Sequence, residues 1–206
     1  MVEDPRDQAL YNTCPLVAAP KYSPFQPLPE AGQRFVAAQD GFYLEARSSA
    51  LHALIRLSTL ARPQPTYGKV EEFIDLANGP IPRHLFQQFV YQACMTPNEI
   101  AAIIQPEEAG YSLATPAVIS AGPGHIQYSD VEFDNIVVDM HSHGLLPAYF
   151  SQTDDASDLS RMGPYIAVVV GTCRDYDSAT WVARFVCGNH LLTLDVGGPL
   201  MQAVLA

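Results

Sequence analysis

Two histidines and one aspartate in the second half of the chain have the spacing of a metal site. His141 and His143 are two residues apart at the end of an apolar segment, and Asp154 follows eleven residues after His143. Alternate residues of a β-strand point to the same side, so both imidazoles would leave one face of the strand. With the carboxylate they make three ligands, which leaves the fourth position of a tetrahedral zinc ion open for water. Catalytic zinc sites have this arrangement, and structural ones do not.

Zinc activates its water and polarises a carbonyl, but hydrolysis of an amide also needs a base to carry a proton to the leaving amine. Glu99 is the candidate for this base, because it opens the otherwise apolar segment EIAAII. Glu107 and Glu108 are rival candidates in a polar turn. Ser151 follows the histidines by a short loop, and its hydroxyl could donate a hydrogen bond to the oxyanion of a tetrahedral intermediate.

The pattern His, any residue, His, seven residues, Ser, two residues, Asp resembles the signature of the JAB/MPN (JAMM) metalloproteases. It is met in full by His141, His143, Ser151 and Asp154. The resemblance covers about residues 80 to 195 and is similar in particular to prokaryotic JAB proteins, since DGFYLEAR resembles the small domain that precedes JAB in some of them. It departs from many eukaryotic members at Gly144, where they have proline.

This resemblance implies a function and a set of roles. It implies one zinc ion per chain and a hydrolase of the metallopeptidase or isopeptidase class, acting on a ubiquitin-like precursor or conjugate as deubiquitinases do. TPNEIAAII resembles the region that holds the catalytic glutamate of the family, so Glu99 inherits that role. A bacterial setting near a ThiF/E1-like enzyme is implied as well.

Other interpretations remain open at this point. Some MPN domains are inactive scaffolds or protein-binding modules, and two histidines with a carboxylate also describe a non-haem iron site. Ser151 and Asp154 could serve only to cap a helix and to stabilise its dipole, and Glu99 could be an edge carboxylate that faces water. Asp139 shares the strand parity of His141 and is either a partner of that ligand or a surface residue.

Composition excludes several classes of protein. The net charge is −11, and the absence of any basic run argues against binding of nucleic acid. No apolar segment is long enough to cross a membrane, and the acidic N-terminus is unlike a signal peptide. Four cysteines are scattered without CxxC spacing, so we expect free thiols in a cytoplasmic protein rather than disulfides.

The order of predicted elements indicates an α+β fold, with a mixed and mostly antiparallel sheet flanked by helices as in the α/β/α-like JAB/MPN fold. We predict two parts: a proline-rich arm with a small β-hairpin domain over residues 1–75, and a JAB/MPN domain over residues 76–206. In the first part a hairpin is predicted around Asp40-Gly41, residues 50–60 are left open between helix and strand, and VEEFIDLAN predicts a short helix. In the second part Ser151 is predicted to begin a helix, and YIAVVVGT a central strand.

Overall fold

A computed structural model of the protein describes residues 4–129, 135–161 and 163–206, and the chain divides into two compact units. The first unit ends at Asp75, and the second runs from Leu76 to Ala206. Helices and largely antiparallel sheets occur together, which confirms the predicted α+β class. Among the described residues, no helix has the length and apolar character needed to cross a membrane.

The first unit is built on a five-stranded sheet. Its elements are α1 (Pro5–Thr13), β1 (Leu16–Ala18), β2 (Gly32–Ala37), β3 (Gly41–Arg47), β4 (Leu51–Thr59) and β5 (Phe73–Leu76). The strands follow one another in the order β1 to β5, with β1 parallel to β2, and both β2–β3 and β3–β4 antiparallel. The core of this unit includes the buried side chains of Val36, Tyr43 and Leu54.

The predicted hairpin of the first unit is present, and the open segment 50–60 is the strand β4. The reason for glycine at position 41 differs from the predicted one, because Gly41 lies within β3 and its φ is not positive. A Cβ atom there would lie 2.1 Å from the carbonyl oxygen of Ser58. Close approach of β4, rather than the geometry of a tight turn, requires this glycine.

Two predictions for this unit are wrong. The proline-rich N-terminal segment is predicted to be an extended arm, but it is not extended throughout. The helix α1 forms where Asp4 caps it by accepting a hydrogen bond from the Arg6 N–H at 2.9 Å. Pro5 is compatible with the first turn, where its missing N–H is not needed. The segment VEEFIDLAN is not a helix, because residues 73–76 form β5 with Ile74 buried at its centre. Pairing with the sheet overrides the local propensity of so short a segment.

The second unit is built on a six-stranded sheet. Its elements are α2 (Arg83–Cys94), β6 (Ala101–Pro106), β7 (Tyr111–Ala114), β8 (Ala117–Gly122), β9 (His125–Ser129), β10 (Val138–Ser142), α3 (Gln152–Leu159), β11 (Tyr165–Gly171), β12 (Thr180–Cys187), β13 (His190–Leu194) and α4 (Pro199–Val204). The order is β13-β12-β11-β10-β6-β7, in which only β10 and β11 are parallel. Strands β8 and β9 form a separate hairpin.

The helices α2 and α3 lie on opposite faces of this sheet. Trp181 on β12 contacts Phe86 of α2, with ring centroids 4.7 Å apart. Arg184, three residues along the same strand, instead reaches Asp158 of α3. Because successive side chains of a strand alternate between faces, the two contacts assign one helix to each face, as the predicted arrangement requires.

The sequence predicts one strand over residues 112–120, and this prediction is wrong. Thr115 and Pro116 interrupt it, and the chain leaves the main sheet to form the β8–β9 hairpin. A proline cannot donate to the ladder, so the interruption falls where the sequence has Pro116. The C-terminal helix α4 was also not predicted, because its six residues are too few to show helical periodicity.

Candidate metal centre

The two histidines lie where a central strand ends. Strand β10 is hydrogen-bonded to β6 on one side and to β11 on the other, and it carries His141 as its fourth residue. His143 follows the strand, but its N–H still donates to the carbonyl of Val170 at 2.7 Å, which extends the pairing with β11 by one residue. The alternation of the strand therefore continues through position 143, and both imidazoles meet on the face that α3 covers.

Three ligand atoms converge at this point. The Nε2 atoms of His141 and His143 are 3.2 Å apart, and they lie 3.2 Å from Oδ1 and 3.6 Å from Oδ2 of Asp154, respectively. At ligand distances of about 2.0–2.1 Å, two ligands of a tetrahedral zinc ion are separated by about 3.3–3.4 Å. The observed separations bracket this value, so the three side chains fit a zinc ion that they would hold through two nitrogens and one carboxylate.

The N-terminus of α3 fixes the carboxylate of Asp154. Ser151 is the N-cap residue: its hydroxyl accepts from the Asp154 N–H at 3.2 Å, and its own N–H donates to Oδ2 of Asp154 at 2.6 Å. This reciprocal capping box leaves the carboxylate little rotational freedom. Ser151 is therefore a helix cap, as one interpretation of the sequence had it, and it also lines the cavity beside the ligands.

Protonation of the three side chains is coupled. Burial raises the pKa of Asp154, but its contacts with His141 and His143 outweigh this and hold the pKa far below the ordinary value. Burial likewise disfavours the charged form of His141, yet the hydrogen bond and charge of Asp154 raise its pKa overall. A proton on His141 thus occupies the place that a metal would take, and metal binding must displace it.

One buried nitrogen of this group has no hydrogen-bond partner among the described residues. Nδ1 of His143 is buried and makes no hydrogen bond with any described residue. When Nε2 of a histidine faces a metal, Nδ1 carries the proton and usually donates it to a carboxylate or carbonyl. The ring of His143 is instead held by packing, with the Tyr149 ring edge-on at 4.7 Å.

Glu99 lies next to the ligands, just before β6 begins. It is 5% exposed and lines the same cavity as His141, His143, Ser151 and Asp154. Its N–H donates to the carbonyl of Gly122 at 3.1 Å. Burial raises the pKa of its carboxyl group, opposed by the positive charge of the two histidines. The structure thus brings all five predicted site residues to one cavity.

The rival glutamates lie elsewhere. Glu107 is in the turn after the far end of β6, where its carboxylate accepts a hydrogen bond from the Ser112 hydroxyl at 2.6 Å. Glu107 and Glu108 are both exposed and do not line the cavity. Among the remaining histidines, His125 on β9 does line it and lies 3.1 Å from the Ser120 hydroxyl. His125 has no ligand spacing in the sequence, so its place in the cavity was not predicted.

A second group of charged side chains lies on the same face of the sheet. Asp139 is 4% exposed and accepts hydrogen bonds from the Tyr128 hydroxyl at 2.8 Å and from the guanidinium of Arg161. The Tyr165 hydroxyl donates to Asp158 at 2.7 Å. Asp139 is therefore a buried member of a polar network near His141 rather than a surface residue, and it makes no direct hydrogen bond to that ligand in the described structure.

Arg184 extends this network across β12. Its Nε donates to Asp158 at 2.8 Å, and Nη1 donates to Asp155 at 2.5 Å. From the sequence, Asp158 is predicted to be a helix-capping or solvated charge. This prediction is wrong, since Asp158 is 5% exposed and paired with Arg184. A buried guanidinium beneath α3 thus holds the helix that presents Asp154.

The cavity beside the ligands has a volume of about 670 Å³. Apolar side chains of the loop after His143 form part of its wall, including Leu146, Tyr149 and Phe150. This loop begins at Gly144, which has a φ of +55°. Proline cannot adopt this value, because its ring holds φ near −65°. The loop then crosses Gly171, where a Cβ atom would lie 2.3 Å from the Ala148 nitrogen.

The fold and the site together define a JAB-type domain preceded by a second domain. Residues 82–184 match the model of the prokaryotic homologs of the JAB domain, and residues 4–77 match a domain of unknown function, DUF2016. The chain belongs to the prokaryotic JAB family. The order of its two domains is consistent with a PRTRC-type JAB protein. A comparison with curated proteins returns no match.

Proposed function

We propose that this protein is a zinc-dependent metallopeptidase or isopeptidase that hydrolyses an amide bond. The observation that carries the proposal is the convergence of His141, His143 and Asp154, with separations near those of a tetrahedral zinc ion, in a cavity that also contains the buried Glu99. Three protein ligands leave a position for water and substrate.

The residues of the chain take separate roles in this reaction. A zinc ion held by the three ligands would lower the pKa of its water and polarise the scissile carbonyl. Glu99 takes a proton from the attacking water and transfers it to the leaving amine, a role that suits a carboxyl group whose pKa burial raises above its ordinary value. Ser151 donates its hydroxyl hydrogen to the developing oxyanion, because in the described structure this hydroxyl acts only as an acceptor towards Asp154.

We further propose that the substrate is a protein, namely a ubiquitin-like precursor or conjugate, and that a ThiF/E1-like enzyme is a partner. Support comes from membership of the JAB family and from a cavity whose wall beside the ligands includes the apolar side chains of Leu146, Tyr149 and Phe150, which could contact an extended chain terminus. The complete ligand set together with a buried base favours an enzyme over an inactive scaffold, which has no use for Glu99.

The first experiment is elemental analysis of protein purified without chelators. We expect close to one zinc per chain in wild type and loss of zinc in His141→Ala/His143→Ala, with His84→Ala as the matched control because His84 is exposed and outside the cavity. Iron in place of zinc would favour oxygen chemistry instead. Absence of metal from the wild type would refute the proposed zinc-dependent hydrolase activity.

The second experiment tests hydrolysis. The zinc-loaded protein is incubated with a panel of diubiquitins that covers isopeptide and linear linkages and with a proteome-derived peptide library, and cleavage is read by mass spectrometry. We expect cleavage that chelator abolishes and zinc restores. A full complement of zinc with no cleavage of either probe, even with a ThiF/E1-like protein added, would favour the scaffold.

A further inference from the structure

Ser142 lies between the two histidines and points away from them. It is completely buried, on the face of β10 opposite to the imidazoles. Its N–H donates to the carbonyl of Ile100 at 2.9 Å, as expected for a strand pair. The return bond is unusual: the N–H of Ile100 donates to the hydroxyl oxygen of Ser142 at 3.0 Å. A side chain takes the place that a main-chain carbonyl has in a regular antiparallel pair.

This hydrogen bond to a hydroxyl instead of a carbonyl lies just before β6 begins. The regular register of β6 with β10 ends at Ala101 opposite His141. Residues 99 and 100 lie beyond it, and two contacts hold their N–H groups: Glu99 to the carbonyl of Gly122 at 3.1 Å, and Ile100 to the Ser142 hydroxyl. The main chain of Glu99 is therefore fixed by the β8–β9 hairpin on one side and by Ser142 on the other.

We infer that Ser142 is a positioning residue, whose hydroxyl fixes the main chain at Ile100 and thereby places the Glu99 carboxylate relative to the metal ligands. The inference rests on the proposed function, because it assigns to Glu99 the role of base. Ser142 is the chain neighbour of both His141 and His143, and its hydroxyl contacts the residue after Glu99. One residue therefore links the position of the base to the positions of the two metal ligands.

The geometry explains why a hydroxyl is needed there. An apolar side chain at position 142 would leave the N–H of Ile100 without its acceptor in a part-buried place, and the segment would move to find another. Displacement of a catalytic group by about 1 Å is enough to lower a rate by about 100-fold. Zinc would remain bound, because no ligand atom belongs to residues 99–100.

The test compares wild type, Ser142→Ala and Tyr111→Phe, all zinc-loaded. Tyr111 is the matched control: its hydroxyl also bonds main-chain groups of this domain, donating to Gly79 at 2.7 Å, but it lies outside the cavity. Two readouts need no substrate: amide hydrogen exchange at Ile100, and the distance from the Glu99 carboxylate to the metal in crystal structures. A third is the hydrolysis of whichever probe the wild type cleaves.

We expect Ser142→Ala to keep its zinc, to exchange the Ile100 amide at least about ten-fold faster, and to place the Glu99 carboxylate differently. Its kcat should fall by about 10- to 100-fold with little change in KM. Adding Glu99→Gln should then lower kcat no further than Glu99→Gln does alone. Tyr111→Phe should lose stability but keep all three properties.

An unmoved Glu99 together with unchanged exchange at Ile100 would overturn the inference, as would kcat losses that multiply in the double variant. If Ser142→Ala does not fold, Ser142→Cys replaces it, since a thiol fills the same space and is a weak acceptor, and the same outcomes decide. If wild type cleaves nothing, the proposed function fails, while the exchange and the crystal structures still test the position of Glu99.

Discussion

Two of the described glutamates are almost completely buried, and their surroundings differ. Glu45, in the first unit, is 0% exposed and accepts hydrogen bonds from the Leu28 N–H at 2.7 Å and from Arg34 at 2.6 Å, with His52 at 2.9 Å. Glu99, in the second unit, is 5% exposed, and no described residue donates a hydrogen bond to its carboxylate.

Their acid–base properties differ accordingly. Burial raises the pKa of Glu45, but His52, the Leu28 N–H and Arg34 outweigh it and lower the pKa below its ordinary value. Burial dominates for Glu99, and its pKa is raised. A buried carboxylate with donors stabilises a fold, whereas one without them is free to accept and release a proton. The hydrogen-bond donors around each carboxylate, and not burial alone, therefore decide whether its pKa is lowered or raised.

The largest expected effect is on catalysis. Glu99→Gln should lower the hydrolysis rate by about 10²–10⁴-fold, because the amide cannot accept the proton. Zinc content should be unchanged, since Glu99 is not among the three ligands. Kinetics and elemental analysis of the same samples measure both, with Glu107→Gln, an exposed carboxylate at the other end of β6, as the control. Equal activity in the two variants would remove Glu99 from the mechanism.

Loss of Glu45 should act on stability and not on the metal. Glu45→Ala leaves Arg34, His52 and the Leu28 N–H without their acceptor, and breaking a buried ion pair costs about 3–5 kcal/mol. Urea unfolding should show this loss for the first unit, whereas the exposed Glu30→Ala should change little. Bound zinc in the second unit should stay the same, and a loss of zinc would contradict the separation of roles.

Zinc affinity should depend on pH near neutrality. The pKa of His141 is raised by Asp154, and zinc must displace that proton. Affinity should therefore fall as the pH is lowered through and below the raised value, with release of a proton on binding. In the metal-free protein the ion pair of His141 and Asp154 stabilises the fold most at mildly acidic pH. Its contribution is lost as the pH rises through the raised pKa of His141, and it also falls as the pH drops below the ordinary pKa of an aspartate, because the pKa of Asp154 is lowered. Calorimetry in buffers of different ionisation enthalpy measures the proton released, and none at neutral pH would contradict the coupling.

The smallest expected effect is on the stability of the folded protein, which the ionised Glu99 lowers. The pKa of Glu99 is raised in the folded protein, so its ionisation disfavours folding as the pH rises from its unfolded value through its folded value. Glu99→Gln should therefore stabilise the metal-free protein, and by more at pH 7 than at pH 4. Thermal unfolding at the two pH values measures the difference. A destabilised variant at pH 7 would mean that the carboxylate has partners after all.

The site could be predicted from sequence wherever its geometry is local. His141 and His143 share a strand, and Ser151 and Asp154 share one helical turn, so strand alternation and capping place each pair without knowledge of the fold. Glu99 was predicted from its context and from the family resemblance. Its burial depends on the β8–β9 hairpin, which the sequence did not separate from the main sheet.

The rest depends on distant contacts. Arg184 is 26 residues from Asp158, and Arg161 is 22 residues from Asp139, so their pairing follows only from the packing of α3 on the sheet. The strand β5 and the helix α1 were missed for related reasons. Neighbouring strands decide the conformation of residues 73–76, and the capping bond of Asp4 decides that of residues 5–13.

Gly171 shows how a position without any side chain can be as vulnerable to mutation as a ligand. The loop that follows His143 rests directly on it, with Ala148, Pro147 and Leu146 main-chain atoms all within 2.5 Å of where a Cβ would be. A single-codon change to alanine or serine would lift that loop off β11 while leaving every ligand intact. Searches for loss-of-function alleles should therefore include this codon, and family members with a larger residue there must route the loop along a different path.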